Sequence, residues 1–276
     1  MAILHFGGRK FFNHMQFSLK DSFNKHSKNY SERVMDRKSW ANLSCEDSLV
    51  IEIINEMRRN GKTFEIVDAG CGTGDRLRYI LENVHIDRSE IKSIYGLDYA
   101  DSMLAIAREQ KYLDKPLYDK LTTVDLTSEP GPYTGNLVLC LWGILNGITE
   151  NRASIFNNLA KQCVDDGVII FDILTIKALK VLKDREATLL KDRSDLEPFT
   201  DINTLWYARN DATIGYMKLF TIDELNNFIS NAGLKYKKVW GYNHKDLNPQ
   251  TVVENDIAVP EQAERDFSVL FCVVSH

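Results

Sequence analysis

The densest chemical signal in the chain is the segment Asp68-Ala-Gly70-Cys71-Gly72-Thr-Gly74, which places glycines at alternate positions directly after the apolar run FEIVDA. Glycines there let the main chain turn sharply, and they let a ligand approach the backbone with no Cβ in the way. The dinucleotide fingerprint GxGxxG needs its last glycine one residue later, where this chain has Asp75, so a nicotinamide dinucleotide fails on register. Asp68 and Asp75 would also repel a pyrophosphate at that helix end. They suit a ligand with positive charge at its centre, and a sulfonium ion meets that description. Three more carboxylates stand at the ends of strand-like runs: Asp98 in SIYGLDY, Asp125 in TTVDLTS and Asp172 in VIIFDIL.

The elements that must position these groups follow from periodicity. Ser44 to Gly61 reads as a helix: Ser44 can cap it, Leu49, Val50, Ile53, Ile54 and Met57 share a face, and Gly61 can close it. Phe64 to Ala69 is a buried strand, and Leu77, Ile80, Leu81 and Val84 recur as a helix should. Strands are expected at Ser93 to Tyr99, Leu121 to Leu126, Leu137 to Trp142 and Val168 to Leu174, with helices at Ala100 to Tyr112 and Asn151 to Val164. Five strands alternating with helices require a parallel sheet covered on both faces, an α/β doubly wound fold. From Thr175 to Phe220 the alternation stalls in an insertion with a helical piece near Ile176 to Leu190. Thr221 and Glu224 form a capping box, Gly233 stops that helix, and strands at Lys235 to Tyr242 and Phe267 to Val274 close the chain around a polar loop.

Composition narrows the class of partner. Thirty-four Lys and Arg against 39 Asp and Glu give a net charge of -5, so no positive field recruits nucleic acid. Five cysteines, odd in number and without a CxxC pair, read as reduced thiols of a cytoplasmic protein. The first apolar stretch is broken at Gly7 and Gly8, too short for a secretory leader, and no run approaches the ~20 apolar residues that a membrane span needs.

VDAGCGTG after a strand resembles motif I of the class I S-adenosylmethionine-dependent methyltransferases, and the order of elements matches over residues 64 to 276. The resemblance implies a Rossmann-like fold with a seven-stranded, mostly parallel sheet whose last strand is antiparallel. It also implies S-adenosyl-L-methionine as cofactor, with Asp98 taking both ribose hydroxyls, Asp125 and Leu126 by the adenine, and Leu141 and Trp142 of LCLWGIL at the methionyl end. Asp68, Gly70, Cys71, Gly72, Tyr99 and Met103 complete the expected cofactor set. Taken singly, each has a plainer reading: Asp98 as a cap for ADSML, Asp125 as a solvated loop residue, Met103 as helix core.

The chain lacks the Asn-Pro-Pro-Tyr-like quartet of enzymes that methylate planar nitrogens, and it has no cluster arranged for Mg²⁺, so no metal is expected. SFNKHSKNYSERV (22–34) resembles the aromatic lid of small-molecule methyltransferases, with Tyr30 near the sulfonium and Phe23, Trp40 and Asn146 toward the acceptor; the alternative is simple packing of an amphipathic helix. Residues 1–60 form this lid and leading helix, residues 61–276 the cofactor-binding domain, and the insertion covers the substrate. Asp172 either orients a cationic amine or caps the following helix. Of the histidines, His26 and His244 fall in segments that can reach the cleft. The expectation is N-methylation of a small amine or a peptide amino terminus in a natural-product pathway. A narrower likeness, in size and lid style, is to enzymes that dimethylate thiazole/oxazole-modified peptides such as plantazolicin. O-methylation of a hydroxyl or carboxylate is the alternative, and a noncatalytic cofactor-binding protein the alternative of another class.

Overall fold

The computed structural model describes Asn24, Ser27 and residues 41–148, 151–178, 199–201, 204–208, 214–243 and 246–276, with backbone alone for 41–44 and 199–217. The elements before the insertion are α1 (Ala41–Arg59), β1 (Phe64–Ala69), α2 (Asp75–Val84), β2 (Ile91–Asp98), α3 (Asp101–Ala107), β3 (Lys111–Tyr112), β4 (Lys115–Pro116), β5 (Lys120–Thr123), β6 (Gly135–Cys140), α4 (Ile144–Gly147), α5 (Arg152–Gln162) and β7 (Cys163–Leu174). Then follow β8 (Phe199–Asp201), β9 (Thr204–Ala208), β10 (Ile214–Lys218), α6 (Ile222–Asn231), β11 (Lys235–Asn243), β12 (Asp246–Asp256), α7 (Ala263–Asp266) and β13 (Val269–Ser275).

Eight strands form the main sheet in the order β12-β11-β13-β7-β6-β1-β2-β5. The five from β7 to β5 are mutually parallel, and β13 runs antiparallel to both β7 and β11. Alternation along β1 sends Phe64 and Ile66 into one apolar cluster and Val67 and Ala69 into the other. Leu49, Val50, Ile53 and Ile54 of α1 and Leu77, Ile80 and Leu81 of α2 cover the first face. Ile155, Phe156 and Leu159 of α5 and Leu225 and Ile229 of α6 cover the second. Chain order reverses between β1 and β6, so the crevice for a ligand lies outside the carboxyl ends of those two strands.

Several expectations are corrected. The sheet has eight strands, because the stretch taken as a polar loop contains β12. That strand pairs with β11 at the sheet edge, where one face and one margin are solvated, so its sequence is polar, and its Pro249 falls in a register irregularity where no ladder hydrogen bond is needed. The helix expected to Tyr112 stops at Ala107, and Lys111–Tyr112 pairs back on Lys115–Pro116. Ser44 lies inside α1 rather than at its cap. The insertion places β8, β9 and β10 in an antiparallel sheet of their own, and most of its expected helical piece lies outside the described residues. Thr221 caps α6 by accepting the Glu224 N–H at 3.2 Å, but the Glu224 carboxylate turns to Arg152 at 2.9 Å instead of closing the box. Among the described residues no helix is long and apolar enough to cross a membrane.

Candidate active site

The turn from β1 to α2 uses its own N–H groups. Gly70 and Cys71 donate to the Leu97 carbonyl at 2.7 and 2.9 Å, Gly74 donates to the Cys71 carbonyl at 3.0 Å, and Gly72 donates to Asp98 Oδ2 at 2.9 Å. A phosphate-binding turn must leave such donors free. This one presents carboxylates instead. Gly70 has φ +81°, and a Cβ there would lie 2.2 Å from Ile144 Cδ1, so both backbone and space call for glycine.

Asp98 ends β2 with its side chain 9% exposed. Oδ2 accepts from Gly72 and Oδ1 from the Ala100 N–H at 2.8 Å, and the Tyr99 N–H also acts on this carboxylate, which fixes its plane. Burial raises its pKa and these N–H donors pull it back. Asp68, at the end of β1, accepts a hydrogen bond from the Tyr118 hydroxyl at 2.6 Å; burial pushes its carboxyl up to about 6, opposed by Tyr118 and the Arg76 charge. The Cys71 thiol is half-buried and held well above its usual range by burial and the two carboxylates, so it remains a neutral thiol.

Asp172 lies in β7 beside Phe271 of β13, 3% exposed. Its carboxylate accepts the N–H groups of Trp142 and, at 2.7 Å, Gly143, just past the end of β6. Both donors sit in the left-handed region, φ +76° and +65°, and for Trp142 that conformation is strained. Asp172 therefore holds a two-amide nest, and most of the insertion whose bases are the alternative partners lies outside the described residues. Burial and nearby Glu46 raise its carboxyl to about 7, against the pull of Arg76 and of the two N–H groups.

The remaining expected residues fall as follows. Tyr99 is half-buried and Met103 and Leu126 are buried, all near the ends of β2 and β5, while Leu141 and Trp142 follow β6. Asp125 is exposed, and its oxygens accept from Thr127 N (2.9 Å), Thr127 Oγ1 (2.7 Å) and Ser128 Oγ (3.3 Å) of its own loop. Asn146 is fully buried: its Nδ2 donates to the carbonyls of Leu174 (3.1 Å) and Lys218 (2.9 Å), and its Oδ1 accepts from Leu174 N (2.8 Å). Both donors are thus taken away from an acceptor molecule. Phe23, Tyr30, Trp40, His26 and His244 lie outside the described residues.

Sequence reasoning missed a buried polar group beside Asp172. Arg76 Nη2 pairs with Glu46 at 2.8 Å and its Nε with Asp47 at 2.9 Å, and Tyr242 donates to Glu46 at 2.5 Å. A signal existed: Glu46 lies four residues before Val50 and Arg76 four before Ile80, so both fall on apolar stripes. It also missed Asn24, whose Oδ1 accepts the Ser102 N–H at 3.1 Å and the Ser102 hydroxyl at 2.7 Å, tying the N-terminal segment to the first turn of α3.

No protein-family model and no curated protein matches the chain. Solved structures do. An S-adenosylmethionine-dependent methyltransferase from Clostridium acetobutylicum is similar at TM-score 0.55 and 15% identity, covering 92% of this chain and 98% of that one. A TehB-like S-adenosylmethionine-dependent methyltransferase from Corynebacterium glutamicum gives 0.53 at 12% identity, with coverage of 91% and 98%. The S-adenosylmethionine-bound amino pentose methyltransferase CalS10 of Micromonospora echinaspora, involved in calicheamicin biosynthesis, gives 0.50 at 15%, with coverage of 84% and 90%. The chain has the Rossmann-like fold that these methyltransferases share.

Proposed function

We propose that this chain is an S-adenosylmethionine-dependent methyltransferase that N-methylates an amine of a small molecule or a peptide end. The observation that carries the reading is the β1–α2 turn, which spends the N–H groups of Gly70, Cys71, Gly72 and Gly74 on protein acceptors and sets a half-buried carboxylate, Asp68, and a buried one, Asp98, at the reversal point of the sheet. That set of acceptors fits a ligand with ribose hydroxyls and a positive centre and does not fit a pyrophosphate. Asp98 would take the ribose; Asp125 and Leu126 would lie toward the adenine, with Tyr99 and Met103 along the walls; Asp68 and the Leu141–Trp142 stretch would lie toward the methionyl end. The cofactor supplies an activated methyl group on sulfur.

Methyl transfer asks little covalent chemistry of the protein beyond alignment and a dry site. The chain's part is to fix the loop after β6, which Asp172 does through Trp142 and Gly143. In the same low-dielectric surroundings that carboxylate attracts an ammonium ion and turns it toward the transfer site, and the amine gives its proton to water before attack. The acidic surplus of Glu46, Asp47 and Asp172 over Arg76 favours a cationic acceptor. CalS10, an amino pentose methyltransferase by name, supports an amine on a natural-product scaffold; a peptide amino terminus offers the same chemistry.

The test has two arms. Calorimetry with S-adenosylhomocysteine is expected to show stoichiometric binding. Incubation with S-adenosylmethionine and a panel of amines, phenols and carboxylates, read by mass spectrometry, is expected to show methyl gain on amines. Methyl gain confined to oxygen acceptors would turn the reading to O-methylation, and binding without any turnover would leave a cofactor-binding protein.

A further inference from the structure

The third glycine of the turn faces a neighbour rather than the crevice. Gly74, at φ +79°, would bring a Cβ to 2.8 Å from Tyr118 Cε2, and Gly96, in the middle of β2, would bring one to 2.5 Å from Leu121 Cδ2 and 2.9 Å from Tyr118 Cδ1 and Cε1. Gly96 stands opposite Asp68 in the β1–β2 register. Two glycines from separate elements thus leave room for the Tyr118 ring, which is 6% exposed and has its hydroxyl 2.6 Å from Asp68 Oδ2. We propose that Tyr118 is a positioning residue: it pins the Asp68 carboxylate in one orientation and keeps it ionised for a cationic ligand. This rests on the reading of the site as one for S-adenosylmethionine.

The physical reason is the competition around Asp68. Facing it are Arg76 from α2, Cys71 from the turn, Asp98 from β2, Cys140 from β6 and Tyr118 from the segment before β5. Burial and Asp98 favour the protonated acid, while Tyr118 and Arg76 favour the carboxylate. Arg76 pairs with Glu46 and Asp47 through Nη2 and Nε and acts on Asp68 through its charge, and the tyrosine supplies the direct hydrogen bond. A hydroxyl donating to an ionised carboxylate at this distance makes a strong, directional bond. Tyr118 itself stays neutral, because burial and the adjoining carboxylates push its phenol far up.

Tyr118→Phe removes only the hydroxyl and keeps the ring. Two measurements read it: calorimetric affinity for S-adenosylmethionine against pH, and the titration of the Asp68 carboxyl followed by carbon NMR in the ligand-free protein. The variant is expected to bind S-adenosylmethionine about tenfold more weakly at neutral pH and to recover on raising the pH by about two units. Asp68 in the free variant should titrate at higher pH than in the wild type, and Asp68→Asn should abolish the difference between the Tyr and Phe forms. Unchanged affinity across the pH range, or an unchanged Asp68 titration, overturns the positioning role while leaving the site reading intact. If the wild type binds neither S-adenosylmethionine nor S-adenosylhomocysteine, the site reading falls and this inference with it.

Discussion

Two regions at the carboxyl edge are built from the same parts and differ in how deeply they are set. Where β2 passes into α3, Asp98 accepts two main-chain N–H groups, and an asparagine from a distant segment, Asn24, grips the following helix through Ser102. Where β6 passes into α4, Asp172 accepts two main-chain N–H groups, and Asn146 stitches that helix to Leu174 and Lys218. The difference lies in solvent and origin. Asn146 is 0% exposed and ties together elements of the core, whereas Asn24 is half-buried and brings in a segment from before the sheet. The β2 side is therefore tied through one half-buried side chain from outside the sheet, and the β6 side through a side chain wholly enclosed by core elements.

The sharpest way to break this contrast is Asn146→Ala. Three hydrogen bonds vanish, and two carbonyls and an amide lose a buried partner, so a stability loss of about 3 kcal/mol is expected. Thermal unfolding should move down by about 6–12 °C. A shift of only a degree or two would show that the β6 side is no more rigid than the β2 side.

Next in size is Asp98→Ala. If each carboxylate oxygen takes one ribose hydroxyl, S-adenosylhomocysteine affinity should fall by about 2–3 kcal/mol, on the order of 30- to 150-fold by calorimetry. Unchanged affinity would remove Asp98 from the cofactor site and leave it a helix and turn brace.

What the sequence displays is what local chemistry dictates. The FEIVDA strand, the glycine turn and the α6 boundaries at Thr221 and Gly233 are all written within a few residues, and all stand where expected. The polar edge strand β12 was illegible because an edge needs little hydrophobic pattern. The partners of Asp172 lie about 30 residues away in Trp142 and Gly143, and the reach of Asn24 to Ser102 spans 78 residues. Such pairings follow from topology, which sets strand ends side by side without marking the sequence. Asn146 misled for a related reason: its place after β6 points to the crevice, but the returning insertion at Lys218 captures it.

Asp172→Asn sharpens the contrast in the chemical step. Methyl transfer per folded molecule should fall at least tenfold, about 1.4 kcal/mol, with S-adenosylhomocysteine affinity within about twofold of wild type. Lost stability with turnover per folded molecule preserved would confine Asp172 to holding its nest. The pH dependence has a definite sign. Because the carboxyl of Asp172 is raised to about 7, the folded state keeps a proton that the unfolded chain releases near pH 4. Stability from this group is greatest below about pH 4, falls as pH rises toward about 7 and is level above. Asp68, at about 6, adds a decline of the same sign over a narrower window. Melting temperature followed from about pH 4 to 8 should decline less steeply in Asp172→Asn than in wild type.

The smallest expected effect belongs to Asn24→Ala. Its side-chain oxygen accepts the Ser102 N–H and so does for α3 what a cap residue does, while Ala100, at the cap position itself, has no side chain able to accept. Losing such a cap costs about 1 kcal/mol, a shift of roughly 2–4 °C in thermal unfolding. Because α3 starts directly beyond Asp98 and Tyr99, a frayed first turn would also release Ala100, whose N–H orients the Asp98 carboxylate at 2.8 Å. A weakening of S-adenosylhomocysteine binding by about threefold is therefore expected, and Ser102→Ala, which leaves the N–H bond in place and removes only the hydroxyl contacts, should weaken it less. A stability loss in Asn24→Ala as large as that in Asn146→Ala would mean that the Asn24–Ser102 tie holds as firmly as the Asn146 stitch, and the difference between the two sides would disappear.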